Sequence, residues 1–462
     1  MLFNSAIFLV FFLCVYVLYW FVFKKYRLWI LLLSGCVFYG WWDWRFLLLL
    51  FFTSGIDFLT AKKIHHEERP HVARRWLIVS VTVNLITLGF FKYYNFFAAS
   101  FVKLLGLFHL HPSFTTVHVI LPVGISFYTF QSIAYVTDVY RRRITPEHSA
   151  LHYFAFICFF PQMVAGPIER AKKLLPQFHQ PKMFSRRYFE SGINLVLYGF
   201  FQKIVIADNL ALIVDQIHGQ LNNYTASVLI LGILAFALQI YADFCGYSNI
   251  ARGCAQLLGF KLVKNFYFPY FACSLQQFWT RWHISLSSWF RDYVYIPLGG
   301  NRAKPARRSF NLLFTFLVSG LWHGANFTFV LWGFFHGLAL IIEKSVSKRS
   351  FSKLLHGIIV FAIVSVLFTL FRSPNLHHFF EYLAALLTNS GSQGINSAIA
   401  AFESRYLFLL PLFAFIVFEI LKYNKSGLGQ YRYNYLTNAL VILFILLFAV
   451  FENAPQFIYF QF

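Results

Sequence analysis

Apolar runs alternate with short clusters of Lys and Arg along most of the chain, and run length carries more signal than periodicity. A run over 6–23 is followed by Lys24, Lys25 and Arg27. Runs over 28–41 and 44–60 form a tight pair about Trp41-Trp42-Asp43-Trp44 and lead to Lys62, Lys63, Arg69, Arg74 and Arg75. Those over 76–96 and 117–139 end at Arg141-Arg142-Arg143. Later runs fall near 189–207, 225–243, 310–322, 327–342, 355–371, 406–421 and 438–451. A bilayer core takes ~20 apolar residues per helix, and these runs reach or approach it, so the pattern predicts an all-α polytopic bundle of about eleven spans.

The basic clusters set an orientation, because short cytoplasmic loops collect Lys and Arg. Nothing basic precedes the first run, the reverse of a signal peptide's charge order, so it reads as an uncleaved span with its N-terminus outside. Loops 61–75 and 141–152 fall inside, as do Lys422, Lys425 and Arg432, which puts the C-terminus outside. Two stretches break the pattern. The apolar residues 153–164 are too few for a span and end in Pro161 and Gly166-Pro167; a re-entrant or interfacial element fits, since irregular backbone at membrane depth must line protein. Residues 243–300 mix polar, aromatic, Gly and Pro positions and read as short helices in the cytoplasmic half. No repeat or soluble module interrupts the chain, so 1–462 reads as one transmembrane domain with an aromatic tail at 457–462.

Composition narrows the class. The 462 residues are 59% hydrophobic, 21% aromatic and 12% charged, against about 25% charged in soluble domains, which excludes soluble, fibrous and disordered chains. The 39 Lys and Arg against 17 Asp and Glu lie in loops between apolar runs and do not indicate nucleic acid. The six cysteines lack metal-ligand spacing and read as inert buried thiols. No metal site is expected.

Two segments could carry chemistry. In 278–293, Arg281, His283, Arg291 and Asp292 sit among tryptophans at interface depth, where ionisable groups must be paired or functional; the plain alternative is an interfacial helix snorkelling its arginines to head groups. In Gly320-Leu321-Trp322-His323-Gly324-Ala325-Asn326, a 13-residue rise of about 20 Å carries His323 past the midplane. Hydrocarbon disfavours the imidazolium, leaving a neutral ring able to accept a proton. The alternative is a core histidine satisfied by a helix carbonyl. Gly320 and Gly324 let a substrate or another helix approach closely. His336 either faces the same cavity or packs.

Gly166-Pro167-Ile168-Glu169-Arg170, Tyr241-Ala242-Asp243-Phe244-Cys245-Gly246-Tyr247-Ser248, Asn265-Phe266, Pro269-Tyr270, the 278–292 stretch and Leu321-Trp322-His323-Gly324 occur in the order seen in membrane-bound O-acyltransferases. The chain resembles that family over at least 1–345, within the bacterial branch of alginate and peptidoglycan O-acetyltransferases and the teichoic-acid D-alanyl transfer protein. The resemblance implies a funnel-shaped bundle with a central tunnel, lined by Arg281, Arg291, Asp292, Tyr241, Asp243, Asn326 and His336. It puts the family's histidine on His323 as general base and its second histidine on His283. It further implies a cytoplasmic acyl thioester as donor (acetyl-coenzyme A or an acyl carrier protein), no bound cofactor, a polysaccharide acceptor such as alginate or peptidoglycan, an extracytoplasmic acyltransferase- or esterase-like partner and a bacterial inner-membrane location. The tail Phe457-Ile458-Tyr459 resembles the Phe-x-Tyr end of the acyl-carrying partner in teichoic-acid D-alanylation, which makes Tyr459 a candidate covalent carrier; an interfacial aromatic anchor is the alternative. A transporter or flippase is the competing class, but transporters often repeat broken helices in matched halves, and none is visible here. A structural scaffold is the third reading.

Overall fold

A computed structural model describes the chain except residues 111–119, 164–165, 347–351, 390–402, 426–434, 452–456 and 459–462. The described residues form helices and no strand. In lipid this follows from backbone chemistry, since a helix satisfies its own N–H and C=O groups where no water can. Among the described residues, six helices are long and apolar enough to cross a membrane, or seven if the pair Ala6–Val22 and Lys24–Asp43, bent by 110°, is one span. The other apolar runs fold into shorter or more charged helices, which is why counting runs gives the larger number.

The chain divides into two compact units. The first comprises Met1–Gly192 and Ala251–Val263. Ser5 caps the first helix by accepting from Phe8 N–H, and Pro70 opens the helix Pro70–Leu88, where a missing N–H costs nothing. Residues 153–163 are buried apart from the half-buried Phe154, and they lie in the helices Ala150–Ile157 and Phe160–Met163 and the turn between them. Gly35 permits this packing: a Cβ there would lie 1.7 Å from the carbonyl oxygen of Cys158.

The second unit comprises Ile193–Ile250 and Lys264–Phe462. The helix Ala226–Leu257 continues well past residue 243, where the sequence reading ends its span. Asp243 does not interrupt it because the carboxylate is paired with Lys203. This helix meets the 34-residue helical run Arg186–Gly219 through glycine, a Cβ on Gly199 falling 2.7 Å from the carbonyl oxygen of Gly246. After two short helices, Leu275–Arg281 and Ile284–Phe290, the helix Pro305–His323 rises and Phe327–Val346 returns. These two meet at Gly320 and Gly333, whose added Cβ atoms would each lie 2.2 Å from a carbonyl oxygen of the facing helix. Of the two uses the sequence allows for Gly320, the structure shows close approach of a helix.

Candidate active site

His323 is the last residue of the helix Pro305–His323 and is 4% exposed. Gly324 follows in extended backbone and ends the helix. Aromatic rings wall the imidazole: Trp332 at 5.0 Å and Phe371 at 5.3 Å between centroids, both edge-on. Gly324 admits a third ring, Phe329, since a Cβ there would overlap it at 2.2 Å.

His283 reaches the same place by a different route. It stands between the two short helices with φ of 41°, a left-handed conformation that is costly for a side-chain-bearing residue and tends to mark functional positions. Asn265 holds it there. The Asn265 carbonyl accepts Ile284 N–H at 2.9 Å, its Oδ1 accepts Ser285 Oγ–H at 2.6 Å, and its Nδ2 donates to Ser248 Oγ at 3.1 Å. The result is a buried pair of imidazoles with centroids 6.4 Å apart and Trp322 beside them. That separation does not allow a direct histidine–histidine hydrogen bond.

A cavity of about 1450 Å³ opens in the same unit. Ile284, next in sequence to His283, and Ser319, one turn before His323, line it together with Trp279 and Phe316. Exposed Arg291, Lys344 and Lys353 line it too, giving a hydrophobic interior with a positive border. Such a space suits a ligand with an apolar arm and an anionic head.

The remaining sequence candidates separate. His336 is fully buried between Trp279 and Trp332, at 4.9 and 4.7 Å, and Trp332 also touches His323. It therefore lies one ring behind the histidine pair. Arg281 donates to the Phe268 carbonyl at 3.4 Å. Arg291 and Asp292 pair with each other at 2.8 Å. Asn326 is a cap, accepting Thr328 N–H at 3.1 Å and donating to the Pro374 carbonyl. Tyr241 donates to Glu419 at 2.6 Å, alongside Tyr198 at 2.7 Å. Asp243 joins Lys203 and Asp208 in a buried ion cluster. Tyr459 lies outside the described residues, whereas Phe457 and Ile458 are buried.

Sequence reading missed Asn265 as a clamp and Lys203 altogether. Lys203 was legible in principle, as a lone cation inside the apolar run 189–207. Lys422, read as a loop charge, belongs to the helix Leu409–Lys425 and is buried with its ammonium 3.2 Å above the Tyr198 ring. Glu147, His152 and His179 also converge unforeseen in the first unit, Glu147 bonding His179 at 2.6 Å and the two imidazoles stacked at 4.0 Å.

Helices of spanning length define a polytopic membrane protein, and its second unit holds a buried histidine pair and an amphiphilic cavity. Comparison with known proteins gives the family: residues 144–373 match the model of MBOAT, the membrane-bound O-acyltransferase family. The chain is 41% identical to the probable alginate O-acetylase of Pseudomonas aeruginosa, over 81% of this chain and 73% of that one. It is 35% identical to the peptidoglycan O-acetyltransferase of Helicobacter pylori, over 86% and 80%. A third relative, the teichoic acid D-alanyltransferase of Bacillus subtilis, is 28% identical over 59% and 74%. The chain belongs to the membrane-bound O-acyltransferase family and is a membrane-bound O-acyltransferase.

Proposed function

We propose that this protein takes an acyl group, acetyl in the first instance, from a cytoplasmic thioester and passes it across the inner membrane for O-acylation of an envelope polysaccharide such as alginate or peptidoglycan. The observation that carries this reading is the pair of buried imidazoles, centroids 6.4 Å apart, in the same unit as a cavity that their sequence neighbours Ile284 and Ser319 line, though the two histidines themselves do not. The names of the alginate and peptidoglycan relatives support the acetyl group and the acceptor class.

In the proposed step His323 accepts the proton of the attacking hydroxyl. The oxygen adds to the thioester carbonyl, a C–O bond forms, and the C–S bond breaks. The sulfur leaves with the bonding pair and recovers the proton as a thiol. His283 holds the reacting group from the other side. Arg291, Lys344 and Lys353 attract the phosphates of the donor, acetyl-coenzyme A or an acyl carrier protein, with no bound cofactor required. Tyr459 is the first acceptor, and an extracytoplasmic acyltransferase-like partner moves the group on to the polymer.

The experiment is acyl transfer from a labelled thioester in proteoliposomes. General-base catalysis contributes about 10²–10⁴-fold, so His323→Ala should lose at least about 100-fold while inserting at the wild-type level. Full activity in that variant removes His323 from the chemistry. Tyr459→Phe keeps the ring and deletes the nucleophile; it should insert normally and deliver no acyl group to the polymer. Full polymer acylation by Tyr459→Phe rejects the carrier and leaves the His323 assignment standing.

A further inference from the structure

The described end of the C-terminal tail lies against an ion cluster that the transfer step above does not use. Lys203 Nζ lies 2.7 Å from Asp208 and 2.8 Å from Asp243. All three side chains are 1–3% exposed. Buried ion pairs add little net stability compared with apolar packing, so stability alone does not account for three charges here.

The second oxygen of Asp243 is committed to the tail, accepting Ile458 N–H at 2.8 Å. The chain reaches that point along the same helical run. Asn209 Nδ2 donates to the Phe448 carbonyl at 2.9 Å, and Val450 N–H donates to the Ile204 carbonyl at 3.0 Å. Phe457 packs on Tyr247 at 4.2 Å and on Phe244 at 5.8 Å between centroids. Phe244 in turn meets His283 edge-on at 4.6 Å. An interfacial anchor presents its side chains to lipid; Phe457 and Ile458 are 0% and 2% exposed.

We infer that Asp243, oriented by Lys203, is the docking post of the C-terminal tail, a positioning residue that holds Phe457 and Ile458, the two residues before Tyr459, against the helix whose Phe244 meets His283. The inference rests on the carrier reading of Tyr459. The post grips backbone, at the residue before Tyr459.

The test reads docking apart from acylation. Tyr247→Cys with Phe457→Cys puts one thiol at the base of each touching ring, and a short bis-methanethiosulfonate cross-linker, which forms a disulfide with each thiol, should bridge them in membranes. Adding Asp243→Asn removes the charge and one of the two acceptor oxygens, and should lower the cross-link yield roughly tenfold, as expected when a hydrogen bond to a charged group is weakened. Asp208→Asn discharges the same cluster without touching the tail and should leave the yield unchanged. Ile458→Pro removes the donor at the other end of the bond, should match Asp243→Asn, and carries the test if Asp243→Asn fails to fold. Absence of the cross-link in the double-cysteine protein, undiminished yield with Asp243→Asn or Ile458→Pro, or an equal fall with Asp208→Asn overturns the inference. Tyr459→Phe in this background should keep the cross-link whether or not it loses polymer acylation, so failure of the carrier and failure of the post are told apart.

Discussion

Substitution of Gly333 by Ala tests whether backbone contact between two helices sets the catalytic geometry. A Cβ at Gly333 would lie 2.2 Å from the carbonyl oxygen of Phe316, and one at Gly320 lies 3.3 Å from the Gly333 Cα, so both helices are at their closest here. Ordinary contact begins near 3.4 Å, so Gly333→Ala must part the helices by about 1 Å or tilt them. His323 is three residues beyond Gly320 on the helix that moves, and Trp332, which walls His323, is the residue before Gly333. A displacement of about 1 Å at a reacting group costs about 100-fold in rate, or roughly 2.7 kcal/mol of barrier. Helix propensity works in the opposite sense, since Ala is better than Gly by roughly 0.5–1 kcal/mol. The variant should therefore insert and purify well while losing activity. The assay is transfer from a labelled thioester in proteoliposomes, normalised to folded protein by size exclusion. Gly55→Ala is the control: it also sits mid-helix, and its Cβ meets nothing within 4 Å. Activity of Gly333→Ala within about threefold of wild type, or an equal loss in Gly55→Ala, refutes the argument that this crossing sets the position of His323.

Orientation is testable by cysteine accessibility: Cys at position 65 or 145 should resist an impermeant maleimide in intact cells and react after permeabilisation. Strong labelling of either in intact cells reverses the topology and with it the donor side. A pH effect is expected from Glu169, which accepts Val263 N–H at 2.5 Å. Burial pushes its carboxyl up to about 7 against the pull of that N–H and of Lys173, Arg252 and Arg170. The unfolded value is ~4.3, so between the two the folded state holds a proton that the unfolded chain has released. The contribution to stability is complete below ~4.3 and is lost as pH rises through about 7. Thermal unfolding in detergent should show Glu169→Gln flattening the decline in Tm over that window, and an unaltered slope removes Glu169 as its source.

The sequence by itself determined the solvent of this protein and the identity of its chemistry. Apolar run lengths, scarce charges and clustered Lys and Arg specify membrane helices, because each is a one-dimensional property of the chain. Motif order identified the family, and with it the two histidines. Only the tertiary structure decided what those residues meet. That Asn265 holds His283 in a left-handed conformation depends on contacts between segments distant in sequence, which no run length encodes. Asp243 reads as a tunnel residue from the family resemblance, and only the structure finds Lys203, 40 positions away, against it. Asn326 has the residue type of a site but spends its amide on a cap and on the Pro374 carbonyl. In hydrocarbon a polar group must be satisfied wherever it falls, so its type announces a need for a partner; which partner answers it is fixed by helix packing.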